Sequence, residues 1–241
     1  MTRDEGADGA LSSALAGAGL FPCRCPLLTE APPADPRPLA RAAAALEAYD
    51  WIVVASARSV AALRRAAGAW PRGVRTAAVG AATARALVEA GATPPPLVGE
   101  GGAEPLWRVL GPAASWPGLR VLVPTTAGGR PFLADALREA GARVDLVEAY
   151  RMIPRAPEAI RADWRAAAAD AVVVASPRAA ATLVAAVGRE PLAALRAVVA
   201  IGATTAEALA ALGVPNRVSP AADFPAVARL LQDLSRAEPV R

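Results

Sequence analysis

The sequence predicts an α/β protein made of two duplicated halves, each a doubly wound sheet of parallel strands. Three observations carry this. Short β-branched apolar runs, Ala171-Val-Val-Val-Ala-Ser176 and Ala197-Val-Val-Ala-Ile-Gly202, read as strands buried on both faces of a parallel sheet. Each runs through a turn residue into a helical stretch, and strands that alternate with helices imply βαβ units. The same segment is also written twice: 176 minus 56 is 120 for Ser56 and Ser176, 202 minus 80 is 122 for Gly80 and Gly202, and 213 minus 91 is 122 for Gly91 and Gly213. Repetition at that length marks duplicated domains and not a solenoid of small units.

In chain order, Leu11, Leu15 and Leu20 in a small-residue background predict a helix within residues 1–20 that stops at Gly17-Ala-Gly19. Residues 21–28 read as a short strand. The four prolines of residues 31–38 remove amide donors and fix φ, which excludes helix and central strand and marks a linker. A helix at 39–48, a strand at 51–56, a helix at 58–67, a strand at 76–80 and a helix at 83–90 follow, until prolines 94–96 interrupt. Beyond them come a short helix at 103–110, a strand at 120–124, a helix at 131–140 closed by Gly141, and a strand at 144–150. A second proline-marked connection at 154–157 precedes the strand, turn and helix pattern of 171–213. There Thr204 offers an N-cap oxygen, with Glu207 three residues on as in a capping box.

The repeat reaches backward as well. Gly19 and Gly141 differ by 122 (141 minus 19), so residues 131–150 echo 9–28. Val123, near the end of the strand at 120–124, then corresponds to residue 1. The first copy begins where its strand should end: either several residues ahead of Met1 are omitted, or this domain has lost most of a strand expected to be central.

Composition narrows the chemistry. A chain of 241 residues accommodates one large core or two domains, and the repeat favours two. Hydrophobic residues make up 54% but aromatics only 4%, so beyond alanine the core must come from Val, Leu and Ile. No segment approaches the roughly 18–20 apolar residues of a membrane helix, and Met1-Thr-Arg-Asp-Glu-Gly6 lacks a basic region followed by an apolar core. The expectation is a soluble cytoplasmic protein. Cys23 and Cys25, two apart on an expected strand, suit neither a structural disulfide nor a complete zinc site and read as incidental thiols.

The chain holds no histidine and no lysine, so all 26 basic residues are arginine. A lysine Schiff base, a P-loop lysine, a Ser-His-Asp triad and a histidine-ligated metal are all excluded. The pI near 10 follows an Ala-, Arg-, Gly- and Pro-rich composition of the GC-rich type and says little about partners. With arginine as the only cation, a bound polyanion would meet planar forked donors and backbone N–H groups.

Five motifs in fixed order resemble uroporphyrinogen-III synthase: Trp51-Ile-Val-Val-Ala-Ser-Ala-Arg-Ser-Val60, Val121-Leu-Val-Pro with its downstream glycines, Val147-Glu-Ala-Tyr-Arg151, Val172-Val-Val-Ala-Ser-Pro177 and Ala200-Ile-Gly-Ala-Thr-Thr-Ala-Glu207. The likeness runs from Thr2-Arg3 to about Arg229. It implies two flavodoxin-like domains joined by a two-stranded linker, one formed by residues 1–36 with 153–241 and the other by 37–152. It implies cyclodehydration of hydroxymethylbilane, a linear tetrapyrrole, with inversion of the terminal ring through a spiro intermediate to uroporphyrinogen III. No cofactor and no metal are implied. The implied partners are the tetrapyrrole and, transiently, the enzyme that makes hydroxymethylbilane; a monomer is expected, with no nucleic acid and no membrane bound. Catalysis would then be orientation plus electrostatic stabilisation, in a protein that mainly folds its substrate.

Ser56 and Ser176 end strands that run into helices, where open α/β sheets bind ligands and helix N-termini favour anions; the plain alternative is an N-cap. Gly80 and Gly202 admit close approach of a ligand to the backbone, or are ordinary turn glycines. Thr204 and Thr205 match the Gly-x-x-Thr turn of the resembled family, with capping as the alternative. Tyr150 matches the tyrosine that ends the strand entering the linker, proposed in that family to assist departure of the hydroxyl or to hold the substrate; the alternative is simple packing. Arg3 aligns with the family's N-terminal arginine. Arg58, Arg130 and Arg178, at turns or helix starts, read as partners for propionates or as solvated surface charges.

Two readings from other classes compete. One is a non-catalytic two-domain module that binds a small molecule, either a receptor-like pair of lobes or a synthase-like protein that holds a tetrapyrrole without turning it over. The other, nucleic-acid binding, has only the pI behind it.

Overall fold

The computed structural model describes residues 1–4 and 9–236. Glu5 and Gly6, the end of the N-terminal stretch read above, lie outside the described residues. The chain forms two compact units: a middle unit, Glu30–Met152, and a terminal unit, Met1–Thr29 with Ile153–Arg241.

The chain opens with α1 (Ala10–Gly17) and β1 (Leu28–Ala31). The middle unit then runs α2 (Arg37–Ala44), β2 (Trp51–Val54), α3 (Ala57–Ala67), β3 (Arg75–Ala78), α4 (Ala81–Ala90), β4 (Leu97–Val98), α5 (Ala103–Leu110), β5 (Arg120–Thr126), α6 (Phe132–Glu139) and β6 (Arg143–Pro154). Its sheet has the order β1-β6-β5-β2-β3-β4. The pairs β6/β5, β5/β2, β2/β3 and β3/β4 are parallel. The two strands that cross the unit boundary, β1 and β6, are neighbours.

Every residue of β2 is buried, and alternate side chains serve opposite faces, which is why the run is apolar without a break. Ile52 and Val54 pack in a layer with Leu63, Leu87 and Tyr150. Trp51 and Val53 pack with Leu106, Leu110 and Leu137 on the other face.

The prolines of 31–38 do not exclude helix throughout, because α2 starts at Arg37 with Pro38 in its first turn. A proline there gives up an N–H that has no acceptor in any case.

At the starting ends of β5 and β6, the Tyr49 hydroxyl donates to Asp145 Oδ2 at 2.6 Å. The Arg120 guanidinium lies 4.8 Å over the Tyr49 ring and 3.4 Å from Asp145. Burial, and then the bond to Asp145, push the Tyr49 phenol up to about 12. A phenol raised above its ordinary value near 10 is favoured in its protonated form by folding. That contribution is complete below about pH 10 and is lost as the pH rises from about 10 toward 12. Tyr49→Phe should therefore be the less stable protein at pH 8 and should lose less additional stability over that window. Denaturant midpoints measured at both ends check it.

The terminal unit completes the chain with α7 (Pro157–Ala167), β7 (Ala171–Val174), α8 (Pro177–Val187), α9 (Glu190–Ala193), β8 (Ala197–Ala200), α10 (Ala203–Ala211), β9 (Arg217–Val218) and α11 (Phe224–Arg236). Its sheet, β7-β8-β9, is parallel. Val172, Val174 and Val198 face one apolar layer with Leu183 and Leu209. Val173 and Val199 face another with Leu11, Leu15 and Val227.

Met1 and Thr2 extend this sheet beyond β7. Thr2 donates from its N–H (3.3 Å) and from its hydroxyl (2.8 Å) to the Val173 carbonyl. On the other side, the Met1 amino group donates to the Cys23 carbonyl at 2.7 Å, and the Cys25 N–H donates to the Met1 carbonyl at 3.0 Å. The spatial order is thus 23–27, 1–2, β7, β8, β9, which repeats β6, β5, β2, β3, β4. This is the flavodoxin-like order 2-1-3-4-5 in both units, with the middle unit entering it at its third strand.

Regular strand begins at Leu28 and not at residue 21, because Pro22 and Pro26 remove two amide donors. Helices α7 and α11 are not anticipated from the sequence. In α7 only Ile160 is buried. In α11 Ala226, Val227, Ala228 and Leu231 are buried. Among the described residues, no helix is long and apolar enough to cross a membrane.

Candidate functional site

In the middle unit the carboxyl ends of the strands bring together residues far apart in sequence. Ser56 N-caps α3, its Oγ accepting the Arg58 N–H at 3.1 Å, and the same oxygen lies 3.2 Å from the Tyr150 hydroxyl. Two predicted site residues are therefore in contact. Tyr150 is 7% exposed, and its ring belongs to the apolar layer under β2. The ring packs, and the hydroxyl sits in a polar pair. If Ser56 donates, the phenol hydrogen is left to point at another acceptor.

A register shift between Thr125 and Thr126 precedes the pairing of Thr126 with Tyr150, and the Ala127 N–H donates to the Tyr150 carbonyl at 3.0 Å. That bulge helps aim the tyrosine where β5 ends. The turn that follows is tight: a Cβ added to Gly129 would lie 2.3 Å from Thr125 Oγ1. Arg130, next along, is exposed and makes no ion pair among the described residues. Arg58 lies 3.6 Å from Glu30, which also holds Arg65 at 3.0 Å.

Gly80 N-caps α4 from an extended backbone, φ −174°, that any residue adopts. A Cβ there would meet Gly101 Cα no closer than 3.8 Å. The turn itself does not demand glycine.

The terminal unit repeats these turns. Ser176 N-caps α8, its Oγ accepting the Ala179 N–H at 3.1 Å, and Pro177 occupies the first turn. Gly202 N-caps α10 with no side-chain cap, and a Cβ on it would reach only Ala222 Cβ at 4.0 Å. This corrects the capping expected of Thr204. The helix begins at Ala203, so Thr204 is already inside it and exposed, and the capping box with Glu207 does not form. Thr205 is 3% exposed. Uncapped first-turn N–H groups at α4 and α10 leave donors and the positive end of each helix facing outward. Arg3 lies with its guanidinium 5.0 Å over the Phe224 ring, at the start of α11. Arg178 is exposed and makes no ion pair among the described residues.

Residues 9–229 match the family model described as Uroporphyrinogen-III synthase HemD. The chain belongs to the uroporphyrinogen-III synthase family. It is 32% identical over 159 residues to the uroporphyrinogen-III synthase of Synechococcus elongatus, a match covering 62% of this chain and 58% of that protein. The chain thus spans less than two thirds of the length of the curated relative it matches. Its fold is that of a mutant uroporphyrinogen III synthase from the extremely thermophilic bacterium Thermus thermophilus, at 24% identity, TM-score 0.52 and 95% coverage of both chains. The uroporphyrinogen-III synthetase of Helicobacter pylori is similar too, at TM-score 0.60 and 16% identity over 88% of this chain and 92% of that one.

Membership of the synthase family sets the receptor-like reading aside. Two positions escaped the sequence reading that the repeat could have found. Thr83, at 205 minus 122, is the counterpart of Thr205 and is likewise buried, at 6% exposure. Thr125, at 3 plus 122, is the counterpart of Arg3 and lies next to the last residue of β5.

Proposed function

We propose that the protein is a uroporphyrinogen-III synthase: it closes hydroxymethylbilane to uroporphyrinogen III with loss of water and inversion of the terminal ring. The observation that carries this is the Ser56–Tyr150 hydroxyl pair at 3.2 Å, set at the carboxyl ends of parallel strands in a chain of this family. In the reaction the substrate's own pyrrole nitrogen expels the hydroxymethyl oxygen, and the phenol of Tyr150 gives that oxygen a hydrogen bond or proton as it leaves. The resulting azafulvene carbon is attacked by the substituted carbon of the terminal ring. The spiro centre so formed opens and recloses at the neighbouring carbon, and one water is released overall.

The chain's own task is placement. In the middle unit the N-terminus of α3 carries a serine cap and that of α4 a glycine cap open to the backbone, and in the terminal unit α8 and α10 repeat these; each offers N–H donors for a carboxylate. Arg130 and Arg178 are free to take propionates in bidentate form. In this reading the enzyme is a cytoplasmic monomer that receives an unstable substrate from the enzyme that makes it.

The test is direct. Freshly made hydroxymethylbilane supplied to the protein should give uroporphyrin III after oxidation, resolved by chromatography of the isomers. Isomer I alone, at the spontaneous rate, overturns the proposal.

A further inference from the structure

We propose that the middle unit carries an anion site at the starting ends of β5 and β6, where Arg41, Arg120 and Arg138 bind a small polyanion. Its chemistry is that of clustered oxyanions, which phosphate esters and polycarboxylates share. The place is a cavity of about 460 Å³, lined by those three arginines with Tyr49, Asp145 and Leu146. That volume lies in the range of small-molecule sites, roughly 300–1,000 Å³. The cavity is at the opposite end of the strands from the Ser56–Tyr150 pair, since Tyr150 lies five residues beyond Asp145 on β6. Five residues span about 16 Å of strand.

A single exposed arginine is ordinarily solvated. Here three come from separate elements: the last turn of α2, the first residue of β5 and the last turn of α6. They meet in one concave place that holds one carboxylate. That carboxylate is already shared, because Asp145 Oδ2 accepts the Tyr49 hydroxyl at 2.6 Å and lies 3.4 Å from Arg120. Asp135, which pairs with Arg138 at 3.0 Å, is outside the lining, and an exposed pair of this kind is weak. The wall therefore keeps an excess of positive charge, which focuses its field on an anion in the concavity.

Two of the guanidinium groups are held in advance. Arg120 stacks 4.8 Å over the Tyr49 ring. Arg138 donates to Asp135 Oδ1 at 3.0 Å and to the Val144 carbonyl at 3.5 Å. Each uses only some of its five N–H donors in these contacts, so a fork remains for an oxyanion. Arg41 makes no ion pair among the described residues. The strand edge adds a backbone donor. The Arg143 N–H donates to the Leu119 carbonyl, so in this parallel ladder Val144 and Leu146 turn their N–H groups to the outer side of β6. Leu146 is 38% exposed and lines the cavity, and with Pro38 and Ala42 it gives the carbon frame of an organic anion an apolar wall.

The experiment titrates the protein with pyrophosphate and with citrate by calorimetry, at ionic strength held constant with chloride so that screening does not change. No hydroxymethylbilane is present, so the outcome is independent of the enzyme assay. One of the two probes should bind saturably at one site per chain, and which one does so separates the phosphate class from the carboxylate class. Arg41→Ala, an exposed change that keeps a good helix former in α2, should weaken that binding about tenfold, the loss of one charge-assisted hydrogen bond. Arg108→Ala removes an exposed arginine of α5 that does not line the cavity, and it should leave binding unchanged. Arg130→Ala, at the other end of the sheet, should do the same. No saturable binding of either probe overturns the proposal. So does binding that Arg41→Ala leaves unchanged, or that Arg108→Ala weakens as much.

Discussion

Tyr150→Phe should lower turnover of hydroxymethylbilane by about 100-fold, the lower end of what a positioned proton donor contributes. The substitution removes one oxygen and leaves the ring, which is 7% exposed and packed with Ile52, Leu63 and Met152, in place. The fold should therefore lose only one hydrogen bond, about 1 kcal/mol, because Ser56 Oγ keeps the Arg58 N–H as a partner. KM should move little, since carboxylates bound elsewhere hold the substrate. Ser56→Ala should be milder in rate and harsher in stability, because it deletes the α3 cap at a cost of about 1 kcal/mol. If the two hydroxyls act as one donor, the double variant should be little slower than Tyr150→Phe alone. Single-turnover kinetics on all three proteins, beside denaturant midpoints, check this; an unchanged rate for Tyr150→Phe removes its assigned role.

Neither the contact nor its partner could be read along the chain, because Ser56 and Tyr150 are 94 residues apart and their meeting depends on β6 lying two strands from β2. Each residue was nevertheless legible alone. Ser56 and Ser176 follow β-branched runs and precede helical stretches, and local chemistry decides such caps. Thr204 misled for the same reason: the local pattern Thr-x-x-Glu satisfies a capping rule, but Gly202 turns the chain first and starts the helix before the rule's residue can cap it.

The strands of the parallel sheets were legible because both faces are buried, which forces an unbroken apolar run such as that of β2. Strands β4 and β9, two residues each, lie at the sheet edges and are too short to carry a period. Helix α7 was silent because one buried side chain, Ile160, anchors it. The repeat offset proved the most informative signal, since it orders strands that propensity leaves ambiguous. It also relates Thr83 to Thr205 and Arg24 to Leu146 without any contact being known.

Leu183→Ala should destabilise the protein by about 4 kcal/mol, near the upper end for removal of a buried leucine. The reason lies in the company that leucine keeps. The buried face of α8 consists of Ala179, Ala180, Leu183 and Ala186, so one side chain fills most of the space between that helix and the β7–β8 layer. Leu183 is fully buried and shares its cluster with Ile160, Val174 and Leu209. In a core with longer side chains, neighbours change rotamer and close part of the hole. The alanines of α8 have no rotamers to change, so on the helix side the hole should stay open and most of the cavity cost should add to the lost transfer energy. Leu183→Met, which keeps the volume, should cost under about 1.5 kcal/mol. Urea unfolding of both variants decides the matter: midpoints should separate widely at similar slopes. A Leu183→Ala cost close to that of Leu183→Met would mean that α8 settles onto the sheet and that alanine-rich layers relax as readily as any other.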